Sequence, residues 1–586
     1  MRATARLALR VLERSSLPRF SRLSLERRAR RIEKLESSGS MLARNLVLLL
    51  KSLCGVSYAR AHEVQEVVGS SPRCELAPGA RPPRLPPHLD FRDLAPREEV
   101  ERCDVVVVGS GAGGASAARV LAEAGLGVIV LEEGGYQDAL TYSRDPIDAL
   151  TTLYREGGLT TCDGRPPIAM PVGRAVGGTT VINSGSCFRA PAAVLRGWRE
   201  ERGIGWATDL EADYEALERD LDVVPVDPAA AGRNAELCRA GADAIGASNG
   251  PVPRNSGGVT CCGTCPMGCA LDAKRAMHVS ELPRAVRAGA RVRSRVRVER
   301  VAVQNGRATG VVARRVDGNG SDDGGARYAV EARAVVLAGG ALGTPELLLR
   351  QGIGGSHVGR HLHIHPACWV GARFPGQEVR GWDGVMQSWR VDEWLDRRLF
   401  LEATFTPLAF GAHWLRGAGL AWKERVARYG ELGIIGVHLT DRSEGRVRVD
   451  GKGRLRLRYS LGRADAETLR FGIARAAQIH FAAGAEEVYP QVGGIDALGP
   501  GEERKLEEGL FSPSALRLEA FHPMGTARMG ARGRDSVVDP SGAVHRLAGL
   551  YVADASVLPT ALGANPMLTI MACARQIARG LADQLA

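Results

Sequence analysis

Aromatic residues make up only 5% of the 586-residue chain. Proteins that grip nucleic acid need flat side chains for base stacking beside their basic groups. The net charge of +11 therefore does not by itself point to nucleic acid, and no such partner is expected. A long uninterrupted apolar run is also missing. The best is MLARNLVLLLKSLCGVSYA at 41–59, broken by Arg44 and Lys51. That is shorter and more charged than a spanning helix of about 20 apolar residues. It reads as a docked amphipathic helix, with peripheral membrane contact through the basic leader as the alternative. A signal-peptide shape is absent, because arginines continue through residue 31 with no clear apolar core before them. Tandem repeats and long low-complexity tracts are absent too.

Hydrophobic residues at 45% are enough for a large core in a chain of this length. The 72 glycines exceed the ordinary share of roughly 7%, and many fall at strand–turn–helix junctions. The charge surplus is concentrated: residues 1–50 hold 12 Arg and Lys against 4 Asp and Glu. Of twelve cysteines, eight (Cys54, Cys74, Cys103, Cys162, Cys187, Cys238, Cys368 and Cys573) are scattered. They read as buried thiols of a reducing compartment, and a cytoplasmic location is expected.

Along the chain, 1–77 reads as a helical, basic extension and 78–100 as a proline-rich linker. In CDVVVVGSGAGGASAARVLAEAGLGVIVLEEGG (103–135), two apolar runs flank an alanine-rich helix. This is the βαβ unit that begins a doubly wound sheet. RAVVLAGGALGTPELLLRQGIG (333–354) and LAGLYVADASV (547–557) supply further strands. The expected fold is α/β. A Rossmann-like cofactor domain is assembled from 101–190, 256–365 and 511–586, with an α+β substrate domain from 191–255 and 366–510 inserted into it.

The loop GSGAGG places Gly109, Gly111 and Gly114 for a tight turn, a close approach to a pyrophosphate and helix–strand packing, with Ala112 beside them. Glu132 ends the next strand 23 residues on, where a carboxylate can bind ribose hydroxyls. GRAVGGTTVINSG (173–185) suits backbone passing close to a flat ligand. Asn565 and Pro566 read as a helix start, Asn as N-cap and Pro at N1. Such a helix terminus offers partial positive charge to a developing anion. FHPMGTARMG (521–530) holds His522, which alone reads as a packed core histidine. Cys261, Cys262, Cys265 and Cys269 fall within nine residues; they read as structural thiols or a disulfide, with zinc or an iron–sulfur cluster as the alternative. His361, His363 and His365 alternate in VGRHLHIHP (358–366), which would place them on one face of a strand.

Taken in order, GSGAGG with Glu132, GRAVGGTTVINSG, VGRHLHIHP, FHPMGTARMG and LYVADASVLPTALGANP resemble the glucose–methanol–choline oxidoreductases over roughly 103–586. The resemblance implies an enzyme with FAD that oxidises alcohols by hydride transfer. His522 matches the active-site histidine, which accepts or shares the hydroxyl proton, and Asn565 donates a hydrogen bond to the same oxygen. The cofactor side is expected at Gly109, Gly111, Ala112, Gly114, Glu132, Gly173, Arg174, Gly177, Gly178, Asn183, Gly185, Val296, Gly339, Asp554, Ala555 and Pro566. Members with covalent flavin carry a histidine beside the asparagine of the second motif; here that place is Ile182, so FAD is expected to be non-covalent. CGxCxxGC followed by LPRAVRAGARV, and the basic extension, resemble the long-chain fatty alcohol oxidase branch, close to cholesterol-oxidase-like members. A hydrophobic alcohol, fatty or sterol-like, is the expected substrate, with dioxygen or another oxidant as acceptor. Two alternatives stand beside it: a sugar or polyol dehydrogenase with a cysteine-bound cluster and a partner acceptor, and a non-catalytic flavin-binding module.

Overall fold

The computed structural model describes residues 2–15, 18–70, 100–143, 145–259, 263–317, 322–509 and 511–586. The proline-rich 78–99, Cys74, Cys261 and Cys262 lie outside the described residues. Three helices come first: α1 (Arg2–Glu13), α2 (Leu25–Glu36) and α3 (Met41–Ala59). After a short helix over His62–Val68, the elements that frame the site begin with β1 (Val100–Val108), α4 (Ala112–Glu123), β2 (Val128–Glu132) and β3 (Asn249–Pro251). They are followed by β4 (Arg291–Ser294), β5 (Val296–Gln304), β6 (Arg307–Val316), β7 (Asp322–Leu337), α5 (Gly340–Gln351) and β8 (Ala367–Arg373). Then come β9 (Gln387–Val391), β10 (Leu399–Thr404), β11 (Leu432–Leu439), α6 (Arg463–Ala482), β12 (Glu487–Tyr489), β13 (Leu550–Val552) and α7 (Met567–Leu585).

The first sheet runs β4–β2–β1–β7–β6–β5, with β13 added beside β7. Pairings among β4, β2, β1, β7 and β13 are parallel; β5 and β6 are antiparallel. Val105, Val106 and Val107 are fully buried because helices cover this sheet. Ala115, Ala117 and Ala118 of α4 are also fully buried, and their small size lets α4 fit between the sheet and α7. In the order β4–β2–β1–β7–β13, the strand ends around β1 and β7 form the crevice where such sheets bind dinucleotides.

The second sheet is antiparallel, in the order β12–β8–β11–β10–β9–β3. One face is packed by α6 through Leu469, Ile473, Ala476, Ala477 and His480, a helical stripe buried to within 2%. The other face turns to the first sheet and the cavity between them.

By length and composition, α3 is the one described helix able to cross a membrane. One side of it lines the cavity. Its Lys51 ammonium pairs with the Glu36 carboxylate at 2.9 Å and donates to the Gly417 carbonyl at 3.0 Å, while Gly417 N–H donates to Glu36 at 2.9 Å. These buried contacts fix α2 and α3 to the 415–417 loop.

Two local expectations are corrected. VGRHLHIHP forms isolated bridges, not a continuous strand, because His361 and His365 take φ of 60° and 48°. The three histidines therefore point to different partners. The last helix begins at Met567, with Pro566 in the cap position and no side-chain cap. Asn565 is thus freed from capping.

Candidate active site

A cavity of about 1250 Å³ runs between the two sheets. At one end lies the β1–α4 turn. Gly109 has φ of 107°, and a Cβ there would sit 2.3 Å from the Ala338 carbonyl oxygen. Gly113, which motif reading passed over, is tighter: a Cβ would meet the Ala553 carbonyl oxygen at 2.0 Å. Glu132 is buried at the end of β2. It accepts from Ser110 N–H at 3.0 Å, Ser110 Oγ–H at 2.7 Å and Gly134 N–H at 2.8 Å. Burial raises its pKa against these bonds.

Of the expected cofactor positions, Gly109, Gly111, Ala112, Glu132, Gly173, Gly178, Asn183, Val296, Gly339, Asp554, Ala555 and Pro566 line this one cavity. Gly114, Gly177, Gly185 and Arg174 do not line it. A Cβ on Gly114 would strike the Gly109 carbonyl oxygen at 2.0 Å, so this glycine closes helix against turn. Gly177 N–H donates to Ser110 Oγ at 3.0 Å. Gly185 backs onto the Asn255 side chain, and Arg174 is buried near Glu133. Asp554 spends its carboxylate on Gly340 N–H, Thr344 Oγ–H and Ser556, tying the end of β13 to the start of α5.

These residues fit FAD. The glycine turn admits a pyrophosphate, and Glu132 stands where ribose hydroxyls would lie. Asn183 is held by Nδ2 on Met567 Sδ at 3.3 Å, and its Oδ1 is buried with no partner. A buried acceptor at the cavity wall calls for a donor, and a flavin ring N–H would supply one.

His522 and Asn565 both line the cavity. The loop carrying His522 is clamped on both sides. Met524 exchanges backbone hydrogen bonds with His363 (2.9 and 3.1 Å), and Ala527 N–H donates to the Ser556 carbonyl at 2.8 Å. His522 is pushed down to about 3, by burial first and then by His438, so it is neutral at ordinary pH.

Its neighbour His365 settles the tautomer. Leu562 N–H and Gly563 N–H both donate to His365 Nε2, at 3.1 and 3.2 Å. His365 is neutral, its pKa lowered mainly by burial, so its proton sits on Nδ1. That Nδ1–H points at His522 Nδ1, 3.2 Å away. The His522 proton is then on Nε2, the nitrogen left for the cavity. In its resting form His522 presents a donor there.

A second polar group that motifs did not reveal lines the same space. His438 on β11 lies with its ring 6.3 Å from that of His522, at 28°. Its Nε2 is 3.2 Å from Glu402 Oε2 on β10. Leu49, Leu53 and Val56 of α3 line the cavity too, with Phe410, Trp414 and Phe521, beside the polar Arg44, His413 and Arg517.

Among the described residues no group of three His, Cys, Asp or Glu is arranged to hold a metal. His361 instead bonds Glu444 at 2.8 Å and His357 at 3.1 Å, while His363 lies 3.7 Å from Asp441.

The GMC oxidoreductase N-terminal family model matches residues 150–367, its C-terminal counterpart 441–574, and an FAD-binding domain model 104–158. An uncharacterised GMC-type oxidoreductase of Mycobacterium tuberculosis is 41% identical over 82% of this chain and 76% of its own length. A long-chain-alcohol oxidase of Arabidopsis thaliana is 31% identical over 83% of this chain and 68% of its own. Pyridoxine 4-oxidase from Mesorbium loti shares the fold at TM-score 0.58 and 18% identity, covering 82% of this chain and 99% of that one. A formate oxidase variant from Aspergillus oryzae does so at 0.61 and 17%, covering 83% and 100%. The chain belongs to the GMC (glucose–methanol–choline) oxidoreductase family and is an FAD-dependent oxidoreductase.

Proposed function

We propose that the protein oxidises the CH–OH group of a hydrophobic alcohol, with FAD held non-covalently. The observation that carries this is one continuous cavity lined by the glycine cradle, by His522 and Asn565, and by apolar side chains of α3 and aromatic residues. Bound flavin supplies the hydride acceptor. The chain supplies position and charge control. Asn565, released from capping, and His522 Nε2–H are both donors suited to the substrate oxygen, where negative charge develops as the carbon gives up hydride. The wall formed by α3 and the aromatic side chains excludes water and favours an alkyl chain over a polyol.

Long-chain-alcohol oxidases among the relatives support an alkyl substrate and dioxygen as acceptor. Ile182 lines the cavity beside Asn183 and has no nucleophilic atom to bond a flavin. Denaturation with acid should therefore release all flavin into the supernatant; flavin retained in the pellet would contradict non-covalent binding. The basic helices α1 and α2, with Leu9 and Leu25 exposed, and Leu42 of α3 offer a surface for an anionic membrane. The alcohol assignment is tested by turnover on a chain-length series, which should prefer long alkyl alcohols to glycerol and glucose. Preference for the polyols would overturn it.

A further inference from the structure

We propose that the cavity holds a second subsite, a cluster of arginines that binds a carboxylate on the substrate's alkyl chain, so that the preferred substrate is a long-chain hydroxy acid oxidised at its hydroxyl. This rests on the alcohol-oxidising reading above and names the substrate class within it.

The first observation is where the arginines stand. Arg44, Arg416 and Arg517 line the same cavity as His522 and Asn565. Arg44 comes from α3, Arg416 from the loop after Trp414, and Arg517 from the segment that leads to His522. Glu36 joins them. Its carboxylate lies 2.9 Å from Lys51 and 3.8 Å from Arg517, and it accepts from the N–H of Gly417, next to Arg416. Arg44 donates to the carbonyls of Ser38, just after Glu36, and Ser514, just before Arg517.

The second observation is the charge balance. Arg44, Lys51, Arg416 and Arg517 bring four positive charges together. Against them stand Glu36 and Glu519 in the cavity wall, and the largely exposed Asp496, which pairs with Arg416. Glu519 also accepts from the Trp369 indole N–H at 2.9 Å. Arg44 has no carboxylate partner among the described residues; its terminal nitrogens rest on carbonyl oxygens. The surplus shows in how the group titrates. Burial, and then the like charge of Arg416, lower Arg44. Burial pulls Arg517 down to about 10 and Lys51 down to about 8, although Glu36 opposes both shifts. Desolvated cations in this state are stabilised by an added anion.

The third observation is distance. Arg517 precedes His522 by five residues, and Leu518, Glu519 and Phe521 between them line the cavity. The two backbones are therefore at most about 18 Å apart, within the reach of a long alkyl chain. On the other side, α3 lines the cavity from Met41 to Ser57, about 24 Å of helix. Leu48, Leu49, Leu53 and Val56 fall within that length. The wall thus offers cations, then apolar surface, along the same elements.

Guanidinium groups match a carboxylate in shape and keep their charge at ordinary pH. No bond of the carboxylate changes. It anchors the chain while the hydroxyl carbon is oxidised as above.

The test compares two substrates that differ in charge, 16-hydroxyhexadecanoate and its methyl ester, in steady-state turnover by the holoenzyme. The acid should be preferred by about tenfold or more in kcat/KM, the worth of one charge-assisted hydrogen bond, with the difference in KM and not in kcat. Arg44→Met and Arg517→Met remove a charge and keep the bulk, and each should bring the ratio of acid to ester close to one. The ratio is read within each variant, so differences in enzyme content and substrate solubility cancel. If the more buried Arg517→Met loses flavin, Arg44→Met is read alone. The subsite is overturned if the wild type takes the ester as readily as the acid, or if the preference survives in the flavin-replete variants. In that case oxidation of the ester still upholds the alcohol reading. Flavin that neither substrate nor any other alcohol reduces would instead refute alcohol oxidation itself, and the subsite with it.

Discussion

His522 and His365 carry their proton positions in backbone geometry, and that makes single-residue consequences specific. Replacing His522 by Ala removes one of two donors to the substrate oxygen. It should slow flavin reduction about 10²–10³-fold, the cost seen for losing one such donor, with flavin content unchanged in the absorption spectrum. Burial also sets an acid sensitivity. His480, which contacts the Val370 carbonyl at 3.0 Å, is pushed down to about 4 by burial, and His522 to about 3. Unfolded histidine titrates near ~6.5. Between those values the unfolded chain binds more protons than the folded one, so stability falls as pH falls from about 6.5 to 4. His480→Gln should flatten the dependence of Tm on pH over that range; an unchanged slope would count against it. His522 was legible because it sits in a motif. His438 and Glu402 were not, since their meeting depends on β10–β11 register and on an unoccupied position at Gly436, which no local pattern encodes.

At the scale of elements, the βαβ start was legible throughout: a continuous apolar run, small residues and a carboxylate fix β1, α4 and β2 by period and burial alone. The antiparallel sheet was less so, because its strands come from 249–251, 367–404, 432–439 and 487–489 and pair across long separations. The histidine segment 358–366 was misread as a strand because positive φ at two non-glycine residues leaves no mark in an alternating pattern. The turn between β1 and α4 gives the sharpest element-level test. Gly113→Ala drives a Cβ into the Ala553 carbonyl. Such overpacking costs about 1–3 kcal/mol and pushes α4 away from β13, so both Tm and flavin occupancy should fall. Wild-type occupancy would show that the turn has slack the geometry denies.

Over the whole molecule, two sheets and an N-terminal helix enclose one site. The basic extension is more than a leader, since α3 forms part of the cavity wall and is locked by Lys51 and Glu36. Leu49→Asp or Leu53→Asp should raise KM for long alkyl alcohols by roughly tenfold or more, the cost of one to two kcal/mol of lost apolar contact, and leave short alcohols little changed. Equal losses for both would remove α3 from the substrate path. The central claim is that hydride leaves an alcohol carbon inside this cavity. Its most direct measurement is anaerobic mixing of the purified holoprotein with a graded series of alcohols, following flavin absorbance. The account predicts bleaching that saturates with alcohol and is fastest for long alkyl chains. Flavin that stays oxidised with every alcohol would contradict it.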